Sequence, residues 1–416
     1  MTPQEGLAHF ANLSPSSIKM GLDRVRVALD RLGHPEQRFP ALHVAGTNGK
    51  GSTCALAASC LARRYKTGLY TSPHLIRPNE RIQVDGVEID DDTFGRRIAE
   101  VVEVLGADHQ LTYFEFGTIV AFWHFAKEHV EFAVIETGLG GRLDATTACV
   151  PKVTCITPID FDHMEYLGHT LGAIATEKAG ILKPGVPVVL AAQPEEAQRA
   201  IALARGEGQT LEEGRDFWLD ADGRTFRTHH RTLTNLELPL KGPHQRQNLA
   251  VALACLEALA PDFPLTDDQL REGVRTTRWP GRLEEFPGAP LVVLDGAHNP
   301  AGVQVLLRAL DTEYAGRPIH LVFGVFADKD SEPMMRALFP RVDAIYATPV
   351  GTPRTRDPKS YEALAKRLNS RVFVYPDAHA ALEAARAQAP ANGVVIVAGS
   401  LFLVGQLRRE LIAATR

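Results

Sequence analysis

The sequence is poor in cysteine and has no long apolar segment. Its 416 residues include five cysteines, none of them in a Cys-x-x-Cys pair, so neither a disulfide framework nor a zinc ribbon is predicted. No apolar run approaches the roughly 18 residues that span a membrane, and the N-terminal MTPQEGLAHF lacks the basic and apolar regions of a signal peptide. These absences predict a cytoplasmic protein with reduced cysteines and no membrane partner.

An excess of positive charge is also missing. The net charge is −5 and the isoelectric point is near 6.3, which gives no general attraction for nucleic acids or anionic membranes. Hydrophobic residues make up 45% and charged residues 23% of the chain, as in ordinary globular enzymes. A chain of this length exceeds what one hydrophobic core usually supports, so two domains are expected.

What the sequence does contain is an alternation of short apolar runs with helix-like stretches. Four runs are typical of buried strands: 41–46, 132–137, 153–159 and 186–192. Helical stretches lie between and after them, at 52–64, 117–129, 244–259 and 267–277. This alternation predicts a mostly parallel α/β sheet, and the polar–apolar alternation of residues 209–240 predicts a small antiparallel flap.

A turn-rich segment precedes a second set of elements. Residues 278–290, RWPGRLEEFPGAP, contain three prolines and two glycines, a composition typical of a domain boundary. Five further strands are predicted beyond it, at 291–296, 319–324, 344–348, 371–375 and 393–399, each followed by a helical stretch. The sequence therefore predicts two domains, 1–286 and 287–416, the second a smaller doubly wound α/β domain.

Residues 46–53, GTNGKGST, have the composition of a phosphate-binding loop. They follow an apolar strand and precede an Ala-rich helix, where backbone N–H groups and the helix dipole can face an anion. The usual pattern G-x-x-x-x-G-K-[ST] is not met, because Val44 stands six positions before Lys50 and Gly51 follows it. A glycine turn without a ligand is the alternative, but a lysine at a glycine-flanked helix start favours a nucleotide.

Acidic residues follow two other predicted strands. Glu136 ends one strand and precedes a glycine-rich loop, and Asp160, Asp162 and His163 follow the next strand. An acid at the carboxyl end of a parallel strand beside a phosphate loop can hold Mg²⁺ directly or through water. The alternatives are a helix-capping or surface role for Glu136 and a hydrogen-bonded structural role for His163.

Ten short motifs occur in an order that resembles one enzyme family. They are HVAGTNGKGS, YTSPHLIRPNERI, LTYFEFGT, ETGLGGRLDATT, DHMEYLGHTLGAIATEKAGILKPGVP, HQRQNLA, WPGR, DGAHNP, DKD and GSLFLVG. Together they resemble the folylpolyglutamate synthase and dihydrofolate synthase group of the Mur-ligase-like ATP-dependent amide ligases. The resemblance implies a P-loop ATPase-like first domain and a Rossmann-like second domain. It also implies a ligase that joins L-glutamate to dihydropteroate and to the γ-carboxylate of reduced folates.

The same resemblance implies the nucleotide and metal contacts. The implied ATP contacts are Gly49, Lys50, Gly51, Ser52, Asn248, Arg282 and Asp295. The implied ligands of two Mg²⁺ ions are Ser72, Glu136 and His163, and a monovalent cation is a further implied cofactor. For Asp295 the alternative is a strand-end cap, and for Arg282 it is a surface ion pair.

The implied catalytic residues are Lys50, His163 and Lys178. Lys178 would carry a carbamate formed with CO₂, which turns an ammonium into a carboxylate-like oxygen ligand beside a second Mg²⁺. The alternative is a lysine paired with Glu177 or with the phosphates directly. The base that deprotonates the glutamate amine is His163 or a nearby acid.

The resemblance also implies where the organic substrates bind. The implied dihydropteroate contacts are Thr112, Tyr113, Phe114, Glu115, Leu143, Asp144 and Ala145. Aromatic stacking with one carboxylate suits a flat pterin, although core packing is the alternative for Tyr113 and Phe114. The folate tail carboxylate is assigned to Arg77 and Arg81, and the incoming glutamate to His298 and Ser400. Thr147 is a departure, because the family usually has Asn after DAT.

The implied chemistry is phosphorylation of a carboxylate by ATP, followed by attack of the glutamate amine. Folylpolyglutamate synthase activity alone and another Mur-type amino-acid ligase are alternatives. The phosphate loop begins at residue 46, which leaves no room for the extra N-terminal domain of cell-wall ligases. A non-catalytic nucleotide-binding switch is the alternative from another class. Two domains that close on each other need no partner subunit, so a monomer is expected.

Overall fold

The structure, a computed structural model, describes residues 1–14, 19 and 21–415. The chain forms two compact units. The first comprises Met1–His74, Pro78–Pro239 and Arg246–Thr277, and the second comprises Leu75–Arg77, Leu240–Gln245 and Arg278–Arg416. The longest stretch of the second unit thus begins at Arg278, ahead of the boundary at 287 expected from the sequence. The reason is that the strand Glu284–Phe286 pairs with the strand that follows it.

The first unit contains an eight-stranded and a three-stranded sheet. Its strands are β1 (Ala41–Ala45), β2 (Thr67–Tyr70), β3 (Ile82–Val84), β4 (Val87–Glu88), β5 (Phe132–Glu136), β6 (Pro151–Ile156), β7 (Val188–Leu190), β8 (Thr210–Glu212), β9 (Phe217–Leu219), β10 (Phe226–Thr228) and β11 (Thr232–Leu233). Its helices are α1 (Pro3–Asn12), α2 (Asp23–Arg31), α3 (Lys50–Leu61), α4 (Asp91–Leu105), α5 (Tyr113–Lys127), α6 (Met164–Leu167), α7 (Leu171–Ala179), α8 (Glu195–Ala204), α9 (Pro243–Leu259) and α10 (Asp267–Thr276). Helix α9 belongs to this unit from Arg246 onward.

The large sheet places three loops side by side. Its order is β4-β3-β2-β5-β1-β6-β7-β8, and all neighbours from β2 to β8 are parallel. Strand β1 lies between β5 and β6, and every residue of β1 and β5 is buried. Because parallel strands carry helices on both faces, they appear in the sequence as continuous apolar runs. The loops that follow β1, β5 and β6 therefore leave the same edge of the sheet.

Helix α5 is buried on all sides. Its sequence is apolar around the whole helix, and Phe116, Ile119, Phe122 and Phe125 belong to the main core of the unit. A helix without a polar face is expected in an interior. The sequence predicted a start at residue 117, but the helix begins at Tyr113 because a capping box precedes it.

The second unit is built on one six-stranded sheet. Its strands are β12 (Glu284–Phe286), β13 (Leu291–Leu294), β14 (Ile319–Phe323), β15 (Ala344–Ala347), β16 (Val372–Val374) and β17 (Val394–Ala398). Its helices are α11 (Pro300–Glu313), α12 (Ser331–Leu338), α13 (Glu362–Leu368), α14 (Ala378–Gln388) and α15 (Leu401–Thr415). The order is β12-β13-β17-β14-β15-β16, with only β12 antiparallel to its neighbour. Apolar clusters lie on both faces of the sheet, as in a doubly wound domain.

The predicted α/β fold class is confirmed, and the differences are shifted element ends and one short hairpin. The strand expected at 153–159 ends at Ile156, because Pro158 has no N–H to continue a ladder. The flap expected at 209–240 contains the antiparallel sheet β11-β10-β9. The hairpin of β3 and β4 was not predicted, since strands of three and two residues leave little pattern. None of the described helices is long and apolar enough to cross a membrane.

Candidate functional site

Two glycines shape the loop between β1 and α3. Gly46 has φ +145° and Gly49 has φ +88°, which are values that L side chains rarely adopt. A Cβ at Gly46 would lie 1.8 Å from Oγ1 of Thr157, and a Cβ at Gly49 would lie 2.3 Å from Oδ1 of Asn248. Glycine is therefore required at both positions, and the predicted ATP contact Asn248 packs directly against the loop.

The loop ends at the N-terminus of α3, whose first residues are Lys50, Gly51 and Ser52. The first N–H groups of a helix have no intrahelical acceptor, and the helix dipole adds partial positive charge there. The ammonium of Lys50 stays at the loop by donating to the carbonyl of Thr47 at 3.1 Å. This combination of amides and one ammonium is what a phosphate group requires.

Lys178 approaches the same loop from α7. Its side chain is buried, and Nζ donates to the carbonyl of Gly46 at 2.7 Å. Burial, and then the positive charge of Lys50, lower the pKa of Lys178 to about 7, while Asp162 and Asp144 oppose the shift. Glu177 instead pairs with Arg142 at 2.8 Å, so it is not the partner of Lys178. An amine with this pKa is largely neutral slightly above pH 7.

Of the predicted metal residues, Glu136 ends β5, and Ser72 and His163 lie on the segments after β2 and β6. The buried carboxylate of Glu136 accepts a hydrogen bond from the backbone N–H of Ser72 at 3.0 Å. His163 is exposed, and its Nε2 lies 3.8 Å from Oδ2 of Asp162. Among the described residues, no three His, Cys, Asp or Glu side chains form a metal site by themselves. This fits Mg²⁺, which usually binds one or two carboxylates together with water and substrate phosphates.

Two of the predicted dihydropteroate contacts have structural partners. Thr112 and Glu115 form the capping box of α5: Glu115 Oε2 accepts from the N–H of Thr112 at 2.7 Å, and Thr112 Oγ1 accepts from the N–H of Glu115 at 3.3 Å. Glu115 Oε1 also accepts from the guanidinium of Arg24 at 2.7 Å. Both side chains are buried, so their polar atoms are already engaged within the protein.

We expect Glu115→Ala to destabilise the first unit by about 2 kcal/mol, because it removes a cap and leaves Arg24 without its ion-pair partner. Urea denaturation followed by circular dichroism measures the change. Glu115→Gln keeps the capping hydrogen bond and should lose less stability. If Glu115 serves the pterin instead, Glu115→Gln would keep full stability and raise the KM for dihydropteroate.

The two aromatic residues beside Glu115 differ in exposure. Tyr113 is buried, with its ring 4.4 Å from that of Phe10, and the guanidinium of Arg81 lies 5.4 Å from the Tyr113 ring. Phe114 is only partly buried, and it packs so closely on Gly138 that a Cβ there would lie 2.4 Å from Phe114 Cζ. Of these two rings, Phe114 is thus the one with exposed surface that a ligand can contact.

The loop after β5 is held together by Asp144. Its carboxylate accepts from the N–H groups of Gly138 at 2.9 Å and Leu139 at 2.8 Å, and also from the N–H and hydroxyl of Thr146. Burial raises the pKa of Asp144, and these hydrogen bonds oppose the rise. Leu143 is partly buried and Ala145 is buried in the same loop. Thr147, which stands where the family usually has Asn, donates its hydroxyl to the carbonyl of Gly141, so this position still closes the loop.

In the second unit, the predicted residues lie at the carboxyl ends of β13 and β17. Asp295 accepts from the N–H groups of Leu283 at 3.1 Å and Ala297 at 2.9 Å, as in a strand-end cap. Arg282 donates to the carbonyl of Gly281 at 3.2 Å, and a Cβ at Gly296 would lie 1.9 Å from its Nη1. This arrangement brings Arg282 and Asp295 to one end of the sheet.

The two predicted glutamate contacts lie at the same sheet end. A ring nitrogen of His298, Nδ1, hydrogen-bonds the carbonyl of Gly296 at 2.7 Å. Ser400 is buried, and its Oγ accepts from the N–H of Phe402 at 3.2 Å. The N–H of Gly399 donates to the carbonyl of Ala297 at 2.8 Å, which joins the two loops. Arg77 also belongs to this unit and is exposed.

A parallel sheet with a glycine loop and lysine at a helix start, together with a second α/β unit, defines a class of nucleotide-dependent enzymes. Two family descriptions match the chain: "Mur ligase middle domain" at residues 44–256 and "Mur ligase, glutamate ligase domain" at residues 281–401. The folylpolyglutamate synthase of Lacticaseibacillus casei is 37% identical over 409 residues, covering 94% of each chain.

Two solved structures agree with this match. E. coli FolC in complex with DHPP and ADP has a TM-score of 0.90 and 33% identity, covering 100% of this chain and 99% of that one. The bifunctional folylpolyglutamate synthase/dihydrofolate synthase of Yersinia pestis, complexed with AMPPNP and Mn ion, has a TM-score of 0.87 and 31% identity, covering 99% of this chain and 98% of that one. The chain belongs to the Mur ligase family, in its group of folylpolyglutamate and dihydrofolate synthases. It is an ATP-dependent, amide-bond-forming ligase.

Proposed function

We propose that the protein joins L-glutamate to dihydropteroate, forming dihydrofolate, and to the γ-carboxylate of reduced folates. The observation that carries the proposal is the phosphate loop, where the ammonium of Lys50 and the first turn of α3 are combined with the buried amine of Lys178. The relatives of this chain include enzymes named for both activities. Folylpolyglutamate synthase activity alone is the second candidate.

The proposed reaction begins with activation of a poor acyl donor. ATP transfers its γ-phosphoryl group to the substrate carboxylate, giving an acyl phosphate and ADP. Lys50 and the amides of Gly49, Gly51 and Ser52 stabilise the negative charge on the transferring group. The neutral amine of glutamate then attacks the acyl carbon, phosphate leaves, and one proton passes to a base. His163 or a neighbouring acid takes this proton.

The proposal also includes a divalent cation, bound beside the phosphate loop. Mg²⁺ ions, two in this proposal, would be held by Ser72, Glu136 and His163 together with phosphate oxygens. When bound they would neutralise charge on the β- and γ-phosphates and on the acyl phosphate. The proposal includes a monovalent cation, which is tested by replacing K⁺ in the assay with a large organic cation.

The substrate contacts proposed here are those expected from the sequence analysis. Asn248, Arg282 and Asp295 complete the ATP contacts. The pterin would lie against Phe114 and the loop that contains Asp144, and Arg81 would meet the tail carboxylate. His298 and Ser400 would receive glutamate. We also propose that the enzyme is cytoplasmic and monomeric. Sedimentation of the purified protein tests whether it is a monomer.

A substrate panel tests the proposed function. Purified protein with ATP, Mg²⁺ and L-glutamate should release phosphate with dihydropteroate and with tetrahydrofolate, and each product should gain the mass of one glutamyl residue. Turnover with tetrahydrofolate only would favour the second candidate. A nucleotide-linked muropeptide precursor serves as the control acceptor and should give no turnover.

A further inference from the structure

The phosphate loop is supported from behind by residues 156–160, which we call the backing segment. The N–H groups of Thr47 and Asn48 donate to the carbonyl of Pro158 at 3.0 and 3.4 Å. The hydroxyl of Thr47 donates to the carbonyl of Asp160 at 2.9 Å and accepts from its N–H at 3.0 Å. The N–H groups of Thr47 and Asn48 and the hydroxyl of Thr47 are therefore directed towards this segment, which leaves the amides nearer Lys50 to face an anion.

One side chain fixes the backing segment itself. Gln193, between β7 and α8, donates through Nε2 to the carbonyls of Ile156 at 3.2 Å and Thr157 at 3.1 Å. Its Oε1 accepts from the N–H of Ile159 at 3.0 Å. These three hydrogen bonds hold the peptide units on both sides of Pro158. Only an amide side chain supplies two donors and an acceptor without a charge.

The position of the Pro158 carbonyl is therefore set through Gln193. Pro158 has no N–H of its own, so it cannot anchor this stretch by a ladder hydrogen bond. Without Gln193, the carbonyls of Ile156 and Thr157 lose a donor, and the segment that orients Thr47 and Asn48 is held less tightly. A small displacement of groups that contact a reacting phosphoryl group is costly for catalysis.

We infer that Gln193 is a positioning residue for ATP, acting on the phosphate loop through the backing segment. The inference rests on the proposed function, because ATP is the ligand that the loop orients. The side chain of Gln193 hydrogen-bonds the backing segment, and its effect is transmitted by Thr47. Its replacement should therefore change the KM for ATP and leave the KM for glutamate unchanged.

The test compares Gln193→Met with the matched control Gln198→Met, an exposed residue on the neighbouring helix α8. Gln193→Met keeps the side-chain length but removes all three hydrogen bonds. We expect it to raise the KM for ATP and lower kcat, together reducing kcat/KM for ATP on the order of 10- to 100-fold, with an unchanged KM for glutamate. Gln198→Met should behave as wild type. An unchanged KM for ATP in Gln193→Met would overturn the inference.

A second variant separates positioning from general instability. Thr47→Val removes the hydroxyl that exchanges hydrogen bonds with Asp160, and it should show the same ATP-specific defect. Because both residues act through one segment, the double variant should lose less than the product of the single losses. Independent losses that multiply would contradict the inference. If Gln193→Met does not fold, Gln193→Glu, which keeps the acceptor for Ile159, is assayed in the same way.

The same assays distinguish failure of the inference from failure of the proposed function. If wild-type protein releases no phosphate with any folate acceptor, the proposed function fails. In that case ADP binding by calorimetry still tests Gln193, since the loop would orient any nucleotide. If wild type is active and Gln193→Met matches it, the inference alone fails.

Discussion

Lys50→Ala is expected to abolish glutamate-dependent phosphate release almost completely, with kcat reduced by roughly 100- to 1000-fold. Lys50 begins α3, and its ammonium is held at the carbonyl of Thr47, within the loop that leads into the N-terminus of the helix. Phosphoryl transfer offers the protein little covalent chemistry, so its contribution is positioning and charge stabilisation. Removing the loop's ammonium removes much of that stabilisation. Single-turnover phosphate release with dihydropteroate measures the loss.

Two control variants sharpen this experiment. Lys152→Ala removes an exposed lysine that pairs with Asp262 at 3.0 Å, and it should keep the wild-type rate. Lys50→Arg retains the positive charge but replaces a compact ammonium by a planar fork, so it should remain impaired. Wild-type phosphate release by Lys50→Ala would exclude the phosphate loop from the reaction. A nucleotide-dependent switch would instead show no glutamate-dependent release in the wild-type protein.

The parts of the site that the sequence predicted are local in the chain. The glycines of GTNGKGST, the lysine after them and the following helix are contiguous, and each residue type has its own conformational or electrostatic reason to be there. The buried parallel strands were also predicted, since each is a short apolar run. Local patterns of this kind can be recognised in a sequence without knowledge of tertiary contacts.

The capping box at Thr112 and Glu115 shows where local patterns have two meanings. The spacing Thr-x-x-Glu is a helix-start signal, and in the structure it precedes the start of α5 at Tyr113, four residues before the start at 117 predicted from the apolar pattern. The same four residues, TYFE at 112–115, belong to the motif whose family resemblance implies a pterin site. Asp295 is similar, because its contacts match the strand-end cap that the sequence offered as an alternative. Sequence alone cannot separate these roles, since both use the same side-chain oxygens.

The supports of the loop could not be predicted, because they join distant parts of the chain. Thr47 meets Asp160 across 113 positions, and Lys178 meets Gly46 across 132. Gln193 has no motif around it, and its importance appears only when its three backbone partners are seen together. The pKa of Lys178 is likewise a tertiary property, since burial and the approach of Lys50 both cause it.

The lowered pKa of Lys178 leads to a second prediction, that ligase activity depends on CO₂ through this residue. Only a neutral amine reacts with CO₂, giving the carbamate R–NH–COO⁻ and one proton. Because burial and Lys50 lower the pKa of Lys178 to about 7, its amine is protonated below that pH and neutral above it. We therefore expect CO₂-depleted buffer at about pH 8 to reduce kcat at least tenfold, and added bicarbonate to restore it.

Lys178→Met should remove both the activity and its response to bicarbonate, because the thioether cannot form a carbamate. Carbon-13 NMR with labelled bicarbonate should show a carbamate signal in wild type and in Lys152→Met, but not in Lys178→Met. Equal rates in depleted and supplemented buffer would contradict the proposed carbamate.

The variant should also be more stable than wild type below pH 7. The unfolded lysine, with a pKa near the ordinary 10.5, binds a proton across the range from about 7 to 10.5 in which the folded lysine does not. The stability of wild type therefore rises with pH over this range, and below it the buried ammonium carries its full cost. Replacing it by an apolar side chain removes that cost, so thermal unfolding at acidic pH should show a higher Tm for Lys178→Met. Lost activity in a more stable protein would place the role of Lys178 in the chemistry rather than in folding.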